Sequence, residues 1–229
     1  MSTIPSGSTD NTPTPRLEPA LVDAARAELD SRMAVFSGFL ATAPAQIATL
    51  VSVVEGALKR RGTVYVCGNG GSASQAEHIA AEFVGRFAMD RPGLPAHALT
   101  TDSAIMTAVS NDYGFESVFE RQVEALVREG DLLIALSTSG RSENVLRAIA
   151  AARTRGAVTV GLTGATGDQL CTAADHCIKV ASTTAAKIQE IHLITLHIVC
   201  GLVEQRLFGA GGLKAALSHQ TTTSDPRAS

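Results

Sequence analysis

The chain contains no tryptophan, and aromatic residues make up only 4% of its 229 positions. Its core must therefore be packed from small and branched aliphatic side chains, which alanine, valine, leucine and isoleucine supply within a 45% hydrophobic share. Basic clusters are missing too. Nineteen Lys and Arg stand against 22 Asp and Glu, a net charge of -3, so the electrostatic footprint of a nucleic-acid binder is absent and no such partner is expected. The four cysteines, Cys67, Cys171, Cys177 and Cys200, show no CxxC spacing. They read as small buried hydrophobes in a reducing compartment. The N-terminus has neither the apolar core of a signal peptide nor an arginine-rich amphipathic pattern, and no segment reads as a membrane span, so a cytoplasmic protein with no membrane partner is expected.

What is present is an α/β pattern. Residues 1–20 and 210–229 are rich in Ser, Thr, Pro and Gly or otherwise polar, and read as a flexible lead and tail around a single domain over 21–209. Apolar residues at helical spacing, broken near Pro44, predict two helices before the first strand. Five short apolar runs follow, each opening into a polar loop: "TVYVCGNGGS", "PAHALTTDS", "DLLIALSTSG", "AVTVGLTGATG" and "HCIKVAST". Runs without polar alternation, separated by helical segments, predict a doubly wound, mainly parallel five-stranded sheet flanked by helices. A long apolar helix is predicted from near Thr184 to Phe208. In such a fold the loops after the strands share one edge, where ligands bind.

Two of those loops suit an anion. "GNGGS" can expose consecutive backbone N–H groups, since Gly68, Gly70 and Gly71 carry no Cβ, and Ser72 or Ser74 can cap the next helix. "STSGRSEN" places Ser137, Thr138 and Ser139 before Gly140, and Ser142 at a helix start, a donor set suited to a small phosphate ester. Neither is a Walker A loop or a full GxGxxG fingerprint, and turns using Gly and Ser for backbone reasons are the plainer alternative. Lys187 in "TTAAKIQE" serves either substrate charge or helix surface.

His78 and Glu82 are four apart and share a helical face, as a proton-transfer pair, as two ligands of one metal, or as an ordinary surface pair. His197 lies in "LITLHIVCGL" and must have a partner, either as a satisfied core histidine or as a functional group. Gln189 is eight residues earlier, about 12 Å along a helix, so spacing argues only weakly that the two share a metal. His192 lies off the stripe of His197 and reads as structural or interfacial. Asp112 in "SNDYGFE" reads as a cap or turn residue, or a pocket residue.

Together "CGNGGSASQAEHIAAEFVGRF", "SNDYGFE", "STSGRSENV" and "AAKIQEIHLITLHI" resemble the sugar isomerase (SIS) domain family, and within it the phosphoheptose isomerases, over about 21–209. The resemblance implies a homotetramer with intersubunit active sites. It implies interconversion of sedoheptulose 7-phosphate and D-glycero-D-manno-heptose 7-phosphate through a cis-enediol, as the entry to nucleotide-activated heptose synthesis, with no nicotinamide or flavin. By position it makes Glu82 and His197 the acid/base residues, and His78, Glu82, Gln189 and His197 a zinc site found in some members. Asn69, Gly71, Ser72, Asp112, Ser137, Thr138, Ser139, Ser142 and Gln189 become substrate-binding positions. Two positions depart from the pattern: Ala186 where many relatives have Asp, and Arg141 where Asn is common. The same superfamily includes a non-catalytic tetrameric adaptor that binds the bacterial replication initiator; that role, or another sugar-phosphate binding role, is the second reading. The presence of His78, Glu82 and His197 favours the enzyme.

Overall fold

The computed structural model describes residues 17–209. The expected flexible tail at 210–229, and the expected lead as far as residue 16, lie outside them; Pro19 and Ala20 already belong to a helix. The described residues fall into two compact units that divide between Ala34 and Val35. Helix α1 is Pro19–Leu40 and α2 is Ala43–Lys59. Pro44 lies in the first turn of α2, where its missing N–H costs no intrahelical bond.

The strands are β1 (Val64–Gly68), β2 (Ala96–Ala98), β3 (Leu132–Ser137), β4 (Val158–Thr163) and β5 (His176–Lys179). Between and after them run α3 (Gly71–Val84), α4 (Ser103–Tyr113), α5 (Glu120–Leu126), α6 (Glu143–Thr154), α7 (Asp168–Ala173) and α8 (Ala185–Phe208). All five strands pair in parallel in the order β2-β1-β3-β4-β5. The expected architecture is therefore present, with each strand arising from one of the five apolar runs.

Strand alternation divides the core between the two faces of the sheet. Val64, Val66, Leu132, Ile134 and Leu136 join the side chains of α2, α3 and α8 on one face. Tyr65, Cys67, Leu133 and Ala135 join α5, α6 and Leu170 of α7 on the other. Burial on both faces explains why these strands carry no polar alternation. Asp131 fixes the start of the central pair, its carboxylate accepting the N–H groups of Thr63 at 2.7 Å and Arg128 at 2.8 Å.

Strand order reverses between β1 and β3: the chain leaves β1 toward β2 on one side and re-enters at β3 on the other. The loops after these two strands diverge there and leave a crevice at the carboxyl edge.

Three expectations need correction. Cys67 and Cys200 are buried and free, but Cys171 and Cys177 are joined in a disulfide between α7 and β5. Six residues of separation carry no CxxC signal; the turn between helix and strand closes the distance, and cysteine spacing therefore gives no ground for a reducing compartment. Helix α8 has 24 residues, and an 18-residue window within it reaches a mean hydropathy of 1.3, enough by length and composition to cross a membrane. Its apolar character is used in the fold, where Ile188, Ile191, Leu196, Val199, Val203 and Leu207 are buried in the core. Asp112 is neither a cap nor a turn residue; it lies in the last turn of α4, whose N-cap is Asp102, accepting the N–H of Ile105 at 2.9 Å.

Candidate active site

The loops after β1 and β3 are tied by a reciprocal amide pair. Asn69 Nδ2 donates to Asn144 Oδ1 at 2.8 Å, and Asn144 Nδ2 donates to Asn69 Oδ1 at 2.9 Å. In the serine loop, Ser137 Oγ and Ser142 Oγ are 3.0 Å apart, and Ser137 Oγ also accepts the N–H of Gly140 at 3.1 Å. Ser142 is the N-cap residue of α6, yet its hydroxyl makes no cap bond and faces Ser137 instead. Gly140 has φ +64, and a Cβ there would lie 2.3 Å from Gly167 Cα, so no other residue fits this turn.

A small cavity of about 70 Å³ opens here, lined by Asn69, Ser72, Ser137, Thr138, Ser142 and Gln189 over Leu136. It has roughly the room of two waters, enough for a tetrahedral oxyanion head. A larger hollow of about 400 Å³, lined by Arg60, Glu129, Gly130, Gly156 and Val158 at the opposite edge of the sheet, has no hydroxyl among these residues.

Most of the expected phosphate residues thus share one wall, with differences in detail. Gly70, at φ +54, is the N-cap position of α3, so neither Ser72 nor Ser74 is the cap; Ser72 is buried in the first turn. Gly71 leaves room for a side chain, since a Cβ there would sit 2.7 Å from Gln189 Nε2. Ser139 uses its hydroxyl inside the turn, accepting the N–H of Arg141 at 3.2 Å. Asp112 is exposed and accepts from Asn111 Nδ2 at 2.7 Å. Arg141 and Ala186 are exposed, and Lys187 is half-buried in the first turn of α8. Asn144, buried and bound to Asn69, was missed by sequence reasoning; its only signal was its place at the end of "STSGRSEN".

The second cluster lies farther along α3 and α8. His78 Nε2 is 2.8 Å from His197 Nε2 and 3.4 Å from Glu82 Oε1. One imidazole must donate to the lone pair of the other. Phe87 flanks His197, with ring centroids 5.5 Å apart. Burial holds the His197 pKa below its usual value, and repulsion from His78 adds to this, while the Glu82 carboxylate pulls it upward. His197 is thus neutral near pH 7 and able to accept a proton. His192, on the opposite side of α8, is fully buried, and burial pushes its pKa down to about 4. It belongs to the core, where its Nε2 lies 3.3 Å from the Thr163 carbonyl oxygen.

Comparison with known proteins fixes the family. A family model for the SIS domain matches residues 29–164. A phosphoheptose isomerase from Roseiflexus sp. (strain RS-1) is 55% identical over 166 residues, which are 72% of this chain and 84% of the relative. The chain belongs to the phosphoheptose isomerases of the SIS domain family. Two solved phosphoheptose isomerases superpose on it. That from Francisella tularensis does so with a TM-score of 0.77 and 36% identity, covering 80% of this chain and 98% of that one. The structure from Neisseria gonorrhoeae gives 0.76 and 34%, over 81% and 99%.

For a phosphoheptose isomerase the pertinent question is whether this second cluster can hold a metal. One donor atom each from His78, Glu82 and His197 lie within 4.8 Å of one another. Two imidazoles and a carboxylate form a donor set that suits Zn²⁺, with one position left for a further ligand. The residues fit the ion.

Proposed function

We propose that the chain interconverts sedoheptulose 7-phosphate and D-glycero-D-manno-heptose 7-phosphate, with Glu82 and His197 moving the protons. The observation that carries this reading is the convergence of His78, Glu82 and His197 on helices that both begin at the serine-lined cavity, α3 with Ser72 and α8 with Gln189. The solved relatives from Neisseria gonorrhoeae and Francisella tularensis carry the name phosphoheptose isomerase and support it.

In this reading Asn69, Gly71, Ser72, Ser137, Thr138, Ser139 and Ser142 anchor the phosphate or the adjoining chain of the sugar, with Gln189 and Asp112 as further contacts. Anchoring at a distance from the reacting carbons makes proton transfer effectively intramolecular. Glu82 takes a proton from C1 of the ketose, leaving a cis-enediol, and returns a proton to C2 to give the aldose. His197, neutral because it is partly desolvated, moves a proton between the two oxygens. The carbon skeleton is neither oxidised nor reduced overall, so no nicotinamide or flavin takes part. His78, Glu82 and His197, with Gln189 as the fourth, would hold zinc, which when bound supplies Lewis-acid polarisation of the sugar oxygens. Metal ligation weakens a carboxylate as a base, and base is the role assigned to Glu82.

We further propose one SIS domain over 21–209, assembled as a homotetramer with active sites between subunits, in the cytoplasm. Two features support the assembly: Ile194, Ile198 and Leu202 form an exposed apolar stripe along α8 beside His197, and α4 buries none of its residues.

An NMR time course with sedoheptulose 7-phosphate tests the reaction. Loss of the ketose signal with growth of the aldose phosphate is expected, and no turnover together with specific capture of the replication initiator would instead favour the adaptor reading. Chelation, metal analysis and zinc readdition test the ion, since full activity in verified metal-free protein would remove zinc from the reaction.

A further inference from the structure

The loop between α3 and β2 is closed by an ion pair that the reaction does not use. Arg91 Nε donates to Glu204 Oε1 at 2.8 Å, and both side chains are 1% exposed. Each partner makes further bonds, and these run toward the acid/base cluster. The remaining nitrogens of Arg91 take up carbonyls that the end of α3 leaves without helical partners: Nη2 donates to Glu82 O at 2.8 Å and Nη1 to Phe83 O at 2.7 Å. The guanidinium thus holds the backbone of Glu82 itself. The Glu204 carboxylate accepts the N–H groups of Phe87 at 2.8 Å, Ala88 at 2.9 Å and Met89 at 3.0 Å. The first of these fixes Phe87, whose ring lies against His197 and over Gly201, where a Cβ would come within 3.3 Å of the ring.

Helical geometry makes this a link between two elements. Glu204 lies seven residues beyond His197 on α8, about two turns along nearly the same stripe. We infer that the buried Arg91–Glu204 pair is a positioning device, which sets the backbone of Glu82 on α3 and the ring environment of His197 on α8 against each other. Stability alone is a poor reason for such a pair, because well-packed apolar residues commonly do as well in its place. The two-armed bonding supplies what apolar packing cannot, a fixed register between the ends of two helices. This inference rests on the reading that Glu82 and His197 move the protons.

The test uses the full chain with sedoheptulose 7-phosphate. Arg91→Lys keeps a cation beside Glu204 but lacks the planar fork that reaches Glu204 and the two carbonyls together. It is expected to fold with KM within about threefold of the wild type and kcat lower by about ten- to a hundredfold, the order of loss that a displacement of about 1 Å brings. Glu204→Gln is expected to show the same split. If either variant lowers the melting temperature while kcat per folded site stays at the wild-type value, the pair is merely structural and the inference is overturned. Phe87→Leu reads the second arm in a chain whose ion pair is untouched: a severalfold loss of kcat at unchanged KM is expected, and unchanged kcat counts against that arm even if the Arg91 variant does not fold. Glu82→Gln is measured alongside. Turnover surviving Glu82→Gln removes the underlying reading, whereas an inactive Glu82→Gln beside a fully active Arg91→Lys removes the positioning role alone.

Discussion

The serine-lined cavity and the histidine–carboxylate cluster are built in opposite ways. The cavity is made where the loops at strand ends meet the N-terminal ends of α3, α6 and α8, and its groups bond one another: Asn69 to Asn144, Ser137 to Ser142 and to the N–H of Gly140. On the proposed reading it is the phosphate anchor, and its polar groups are held in place by one another. The cluster is made by side chains one turn or more along α3 and α8, and the side chain of His78 is 47% exposed. His78 meets His197 and Glu82 within it, and further order comes from outside, from the pair that joins Arg91 to Glu204 and from the ring of Phe87. A rigid anchor and a separately held reacting face let binding and chemistry be disturbed one at a time, and the variants below are chosen to show whether they can be.

The largest effect is expected from the reacting face. Glu82→Gln removes the proposed base and leaves a side chain of nearly the same shape at a position beside His78 that is not fully buried. Turnover should fall by about a thousandfold, within the range that general acid–base groups contribute, with KM and assembly little changed. Steady-state kinetics and size-exclusion chromatography check this; near-normal kcat would remove Glu82 from the mechanism.

Helix α8 carries its own version of the comparison, with two histidines five residues apart on different sides. His197 faces the cluster, while His192 is buried with Nδ1 unpartnered, its pKa depressed to about 4 from an ordinary 6.5. A histidine kept neutral in the folded state binds fewer protons than the unfolded chain between these values. Its contribution is therefore fully present above pH 6.5 and is lost as the pH falls toward 4. Between pH 7 and pH 5 this amounts to roughly 2 kcal/mol. His192→Leu should flatten that part of the stability–pH curve, as measured by urea unfolding, and leave the phosphate anchor intact. An unchanged slope would mean that His192 is not the group responsible.

What could be read in the sequence follows the same division. The five strands were legible because strands covered on both faces must be continuously apolar, and the hydroxyls of "STSGRSEN" because a phosphate cradle needs Gly and Ser close together in one loop. His78 and Glu82 were legible as a pair because helical spacing alone puts them on one face. The contact from His78 to His197 spans 119 positions, and that from Arg91 to Glu204 spans 113, so no local pattern announces either. The resemblance supplied the first; only the folded chain supplies the second. Nothing in the local sequence singles out Glu204, yet it is 1% exposed and receives four hydrogen bonds. Burial is offset there by bonds from residues more than a hundred positions away, and local composition holds no record of them. Cys171 and Cys177, only six positions apart, escaped for a different reason: their spacing is no CxxC, and it is the turn from α7 into β5 that brings them together.

The smallest effect, and the one that sharpens the division most, is expected at Asn144. Its amide is buried and reaches no reacting group; its two bonds hold Asn69 across the crevice between β1 and β3. Asn144→Ala removes both bonds at once. With a net loss near 1 kcal/mol passed on to binding, the worth of one neutral hydrogen bond, KM for the sugar phosphate should rise about fivefold. The competitive inhibition constant of inorganic phosphate should rise in parallel, because the loosened part is the anchor. The Arg91–Glu204 pair and its bonds to α3 involve none of these residues, so kcat should change by less than about threefold. A fall in kcat as large as the rise in KM would mean that the loops and the helix faces move as one body, and the separation of anchor from chemistry would then be lost.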